Sequence, residues 1–402
     1  MSITKQSLNY KNILSALTLS LFFILLNSGS PTPLYPLYKE NFALSNTDLT
    51  LIFASYGFGV LLGLFLSRKL IIISKNTKKL LLASLMLVVV STLCFSFARS
   101  LYSLFTYRFI SGLGAGTATA IINTLLINFS SGDSAKRAAL LGSLALVSGL
   151  AIGPLISSLY SQWEFYPLVS SSATNAILVF LSTIAIVSFW PKNVTINTHE
   201  TRVTEDGSDF YKPLFYWLAF CVFISWSYAA LILSLGPTTA IDLFGIKSPA
   251  YFGYIVTSYL LVAGMAQLTL PRLMKPEFSM ILGLIVQITS MFIMLMALES
   301  RSVFNAVLSL MISGFSYGAV FIGGATLVNK ISIVAPRWNA VSKFYSIIYL
   351  FNTTPLAVGW LADFIGIYSA LGVSIFLFTM AYSLVITLAI IAVFFQKVKI
   401  HF

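Results

Sequence analysis

Long apolar runs separated by short polar breaks fill almost the whole chain. A helix needs about 20 apolar residues to cross the hydrocarbon core of a bilayer. Windows of that size fall at 12–36, 49–67, 79–98, 101–127, 137–160 and 166–190, and again at 213–235, 250–270, 279–298, 303–328, 339–361 and 370–395. The pattern therefore predicts an all-α integral membrane protein with twelve transmembrane helices. A β-barrel would need alternating apolar and polar positions instead of continuous runs. Lys5 and Lys11 precede the first run as they would in a signal peptide, but no small-residue cleavage site follows. That run reads as an anchor.

Polarity concentrates from Pro191 to Lys212, a stretch holding Glu200, Glu205, Asp206 and Asp209. It divides the chain into a six-helix bundle at 1–190, a central cytoplasmic loop at 191–212 and a second six-helix bundle at 213–402. The halves share landmarks. Ser30-Pro31-Thr32 returns as Gly236-Pro237-Thr238, and Ser55-Tyr56 as Ser258-Tyr259. Ile110-Ser111-Gly112 returns as Ile312-Ser313-Gly314, and Pro154 as Pro355. The offsets are 206, 203, 202 and 201, against a half-length of 201. With an even number of spans per half the repeats run parallel, an arrangement suited to alternating access around a central site.

Composition sharpens this picture. Hydrophobic residues make up 58% and charged residues 9%, whereas soluble domains carry about 25% charged residues. Disorder, collagen and coiled coil are excluded. Cys94 and Cys221 lie in apolar runs and offer neither a disulfide framework nor a metal site. With the N-terminus inside, 19 of the 24 Lys and Arg residues fall on the cytoplasmic side, four fall outside and Arg108 lies within a span. That bias satisfies the positive-inside rule and puts both termini in the cytoplasm. The net charge of +12 is scattered over inner loops, so its partner is anionic membrane lipid and not nucleic acid.

Arg108 carries the first candidate chemistry. It follows Arg99 by nine residues, which places it about 13 Å into the membrane at 1.5 Å per residue. A charge at that depth faces a wet cavity or a partner. Gly112, Ala115, Thr119 and Asn123 continue its helix face as a small, polar strip. Gly112, Gly114 and Gly116 read as close helix-packing positions. Gly149-x-x-x-Gly153-Pro154, Pro31 and Pro33, Pro237 and Pro355 are candidate kink and gating positions. Asn27, Tyr56, Trp226, Tyr228, Tyr317 and Asn352 join Arg108, Thr119 and Asn123 as candidates for the substrate and proton pathway, whereas Tyr35, Tyr38 and Tyr368 read as interfacial belt. Aromatic walls with scattered polar groups suit an amphipathic ligand. All twelve acidic residues fall in loops or at span ends, which leaves Glu40 and Asp48 as candidates for a titrating group. Neither a nucleotide loop nor a catalytic triad nor a metal cluster can be assembled, so the reading is not an enzyme and has no cofactor.

Two six-helix halves around an inner loop resemble the major facilitator superfamily over essentially the whole chain. Leu104-x-x-x-Arg108-x-x-Ser111-Gly112-x-Gly114-Ala115-Gly116 resembles its arginine-glycine motif, in which the arginine is linked to proton coupling. Gly149-x-x-x-Gly153-Pro154 looks like the motif of proton-driven exporters. Thr32 to Tyr38, TPLYPLY, is similar to a bacterial subgroup classed as drug or metabolite exporters. The family's inner-gate loop survives as Gly63 and Arg68, but Ser67 stands where it has aspartate and Leu70 where it has glycine. The resemblance implies a monomeric bacterial inner-membrane transporter, a proton-driven exporter of a small neutral or anionic amphipathic molecule. An importer of a small organic acid is the alternative. A channel would need a filter-like loop, and none recurs.

Overall fold

A computed structural model describes residues 2–74, 76–129, 133–191, 212–334 and 340–400. The expected central loop lies almost wholly outside the described residues. Those residues fold into helices, with no strand among them. In a lipid environment the backbone must satisfy its own hydrogen bonds, and an apolar helix does so locally.

The first half contains α1 (Ser2–Gly29), α2 (Tyr35–Phe42), α3 (Asn46–Ser74), α4 (Thr77–Ser96), α5 (Leu101–Asn128), α6 (Asp133–Gln162) and α7 (Pro167–Phe189). The second contains α8 (Lys212–Asp242), α9 (Pro249–Leu273), α10 (Pro276–Ser300), α11 (Val303–Val334), α12 (Ala340–Ile348), α13 (Thr353–Ile365) and α14 (Ile367–Ile400). Among the described residues, eleven helical segments are long and apolar enough to cross a membrane, the first comprising α1 and α2 together. The remaining expected span, the eleventh in chain order at 339–361, is present in two pieces. α12 ends at Ile348, a 3-10 turn covers Tyr349–Asn352, and α13 resumes ahead of Pro355.

Prolines act unevenly. Pro31 has no N–H, so α1 stops at Gly29, and a 3-10 turn through Pro33 leads into α2. Pro154 and Pro237 instead lie inside α6 and α8, which continue through them. Hydroxyls inside the spans mostly satisfy themselves. Thr18, Ser84, Thr124, Ser158 and Ser374 each donate to the carbonyl four residues back, at 2.7–2.9 Å.

Two compact units emerge, one of residues 1–200 with 246–257, the other of 201–245 with 258–402. In the first, α1 packs on α6 and α7, α3 on α5, and α4 on α5 and α7. Glycines allow the closest approaches. A Cβ on Gly112 would lie 2.1 Å from the Tyr56 carbonyl oxygen, and one on Gly116 would lie 2.2 Å from that of Val60. Gly149 and Gly153 abut the carbonyls of Phe22 and Leu26 on α1 in the same way. In the second unit α8 packs on α11, α12, α13 and α14, and α10 on α11 and α14. There a Cβ on Gly314 would lie 2.5 Å from the Tyr259 carbonyl oxygen, and one on Gly318 would lie 2.2 Å from that of Ala263. These contacts repeat those of Gly112 and Gly116 at the offsets of 202 and 203 read from the sequence. Gly63, expected in the inner-gate loop, is another packing position, because α3 runs on to Ser74 and a Cβ at Gly63 would lie 2.4 Å from the Leu113 carbonyl.

Candidate functional site

Arg108 sits on α5 with 4% of its surface exposed. The broken end of α1 supplies its acceptor. A helix leaves its last carbonyls without partners, and Arg108 Nη2 donates to the Ser28 carbonyl at 3.2 Å. The guanidinium lies 4.3 Å from the centroid of the Tyr56 ring and 6.0 Å from that of Phe95. Such π faces stabilise a desolvated cation by roughly 2 kcal/mol. No carboxylate pairs with it among the described residues. Its Nε is buried without a hydrogen-bond partner, as are the hydroxyls of Tyr35 and Tyr38. Both phenols lie within electrostatic range of the guanidinium.

That placement corrects two expectations. Tyr35 and Tyr38 do not face outward as belt residues would, because the turn at Pro31–Leu34 folds them into a core with Leu34, Leu44, Leu49, Ile52, Phe95 and Leu104. The first unit encloses Arg108 instead of presenting it on an open strip. Along the same helix Gly112 and Ala115 are buried, Thr119 is half-buried and Asn123 is exposed. Asn27, a pathway candidate, is engaged between helices. Its Nδ2 donates to Thr92 Oγ1 at 3.0 Å and to Ser111 Oγ at 3.1 Å, tying α1 to α4 and α5.

Behind the α1 break, Ser30, Ser157 and Ser171 form a buried ring of hydroxyls with Oγ···Oγ separations of 2.6–3.0 Å. It joins α1, α6 and α7 where the Gly153-Pro154 pair brings α6 close. At the start of α3, Asp48 accepts from Ser45 N at 2.9 Å while Ser45 Oγ accepts from Asp48 N at 3.1 Å. That reciprocal pair caps the helix, whereas Glu40 is exposed. Ser67 is buried and donates to the Leu64 carbonyl at 2.7 Å. The Arg68 side chain lies outside the described residues.

In the second unit, Trp226 on α8 gathers rings from α11 and the 3-10 turn. Tyr317, Phe321, Tyr349 and Phe351 lie 5.3–6.2 Å from it, centroid to centroid. Asn352 Nδ2 donates to the Tyr349 carbonyl at 2.9 Å, closing the turn that carries Tyr349 and Phe351. Tyr228 points elsewhere and packs on Phe378 at 5.5 Å. The candidates Trp226, Tyr317 and Asn352 therefore converge, and Tyr228 does not join them. Sequence reasoning missed Phe321 and Phe351, which carry no polar signal. The position matching Arg108 in the second unit is Leu310, a buried apolar residue.

The sequence profile described as Major Facilitator Superfamily matches residues 17–352. No curated protein matches the chain. Solved structures share the fold at low identity. A POT family transporter in complex with 5-aminolevulinic acid is 14% identical, with a TM-score of 0.76 over 96% of each chain. The nucleoside transporter NupG is 14% identical, with a TM-score of 0.71 over 95% of this chain and 99% of its own. A bacterial homolog of the human lysosomal transporter Spinster, inward-facing and unoccupied, is 13% identical, with a TM-score of 0.70 over 94% of this chain and 96% of its own.

Proposed function

Since the chain belongs to the Major Facilitator Superfamily, we propose that it is a secondary transporter that exports a small amphipathic molecule, neutral or anionic, in exchange for protons. It works by alternating access in a bacterial inner membrane, with both termini in the cytoplasm. The observation that carries the charge preference is the Arg108 site. A guanidinium N–H and two phenol hydroxyls, buried and without partners, are donors that an anionic group satisfies and a cation does not. A multidrug pump for cations needs a carboxylate in its cavity, and Arg108 is the only Lys, Arg, Asp or Glu buried among the described residues. The stretch that places Tyr35 and Tyr38 beside Arg108 is the TPLYPLY segment, which supports the exporter reading. The breaks at Pro31–Leu34 and Tyr349–Asn352 are where the units bend, with Gly149, Gly153, Pro154, Pro237 and Pro355 beside the moving segments.

The test uses inside-out vesicles and labelled aromatic and aliphatic carboxylates. Accumulation should persist without ATP while respiration holds a proton gradient, and it should collapse with an uncoupler. Accumulation that an uncoupler leaves intact overturns proton coupling. Movement into right-side-out cells instead would favour the importer.

A further inference from the structure

Five side chains, Trp226, Tyr317, Phe321, Tyr349 and Phe351, meet in the second unit, and each keeps part of its surface accessible. The tyrosines that serve packing in the same unit do not: Tyr228, Tyr259 and Tyr382 are 5%, 0% and 0% exposed. Rings gathered only to fill a core would be expected to lose their surface as those do. The exposure is not that of a lipid-facing helix either. α8, which carries Trp226, has 78% of its apolar window buried, the largest share among the membrane-length segments, against 28% for α14.

A polar handle accompanies the rings. Trp226 Nε1 is buried without a hydrogen-bond partner, and a buried donor left unpaired is penalised until an acceptor reaches it. No Lys, Arg, Asp or Glu is buried in the second unit among the described residues. A flat π-faced solute gains ring contacts on such a wall, and an acceptor at its edge meets the indole N–H. A cation could use the ring faces but brings no acceptor to the indole. We propose that this wall selects the substrate, taking a flat aromatic ring that bears a hydrogen-bond acceptor. The proposal rests on the transport reading above and narrows its substrate class.

Binding to the purified full chain in lipid nanodiscs tests it, using naphthoate, its ring-saturated counterpart of the same charge, and naphthylmethylammonium. Naphthoate should bind about tenfold tighter than the saturated acid, the difference being the ring contacts. Trp226→Leu should lose about tenfold in naphthoate affinity, with little change for the saturated acid. Trp226→Phe keeps a ring and removes the donor, so it should lose a smaller factor, about threefold to tenfold. Trp360→Leu, changing an indole that is 62% exposed, should bind as wild type does. Thermal unfolding of each variant shows whether it is folded.

Equal affinity for both acids overturns the proposal, as does tighter binding of the ammonium, unchanged affinity in folded Trp226→Phe, or no binding of naphthoate to wild type. Uncoupler-sensitive export of the saturated acid alone would sink the aromatic preference and leave the transporter standing. Naphthoate bound at Trp226, with no carboxylate moved in vesicles, would do the reverse.

Discussion

Arg108 is held by one carbonyl and two ring faces, and its substitutions separate charge from shape. Arg108→Ala should lower affinity for an anionic substrate by roughly 10- to 150-fold, the equivalent of a charge-assisted hydrogen bond, without lowering expression. Arg108→Lys should recover only part, because an ammonium lacks the planar fork. Tyr56→Phe keeps the face over which the guanidinium lies and should transport at close to the wild-type rate. Tyr56→Leu removes that face and should slow transport several-fold, a difference that initial rates in vesicles would register. The arginine was legible because its depth makes any mid-membrane charge conspicuous. Tyr35 and Tyr38 were not, because position along a run says nothing about which way a broken helix turns.

Between helices, the glycine approaches decide stability. A methyl on Gly112 would sit 2.1 Å from backbone that cannot yield as a side chain could. Gly112→Ala should therefore destabilise by about 1–3 kcal/mol, with Gly314→Ala similar. Gly372→Ala, where nothing lies within 4 Å of the added carbon, should leave the melting temperature in detergent unchanged or slightly raised. Hydropathy located the runs well, since each is long and nearly free of charge. It could not show that the run at 339–361 is cut, because one Asn among Tyr349, Leu350 and Phe351 does not interrupt an apolar window of that length. Pro355 was the available sign, yet Pro154 and Pro237 lie in helices that continue. A proline forbids one hydrogen bond and leaves neighbouring packing to decide whether the helix breaks.

At the scale of the whole chain, the basic residues predict the topology. Reporters fused after residues 75, 200 and 399 should give cytoplasmic signals, and one after residue 245 an external signal; a cytoplasmic signal at 245 would overturn the span count. The two-fold repeat was legible because matched glycines and tyrosines make the same backbone contact in both units. The units diverge where Arg108 is matched by Leu310. Synthesis order adds a constraint. Ser28, Tyr56 and Phe95, which receive the guanidinium, all precede Arg108 in the chain, so a ribosome delivers the receiving groups before the charge. An arginine at mid-helix opposes insertion by about 2.5–3.5 kcal/mol, and α5 emerges when its acceptor and ring faces are already in the bilayer. In an insertion assay, α5 alone should enter the membrane poorly and improve with Arg108→Leu. Behind the first three spans it should insert well with either residue, which would make the fourth span a dependent passenger of the three translated before it.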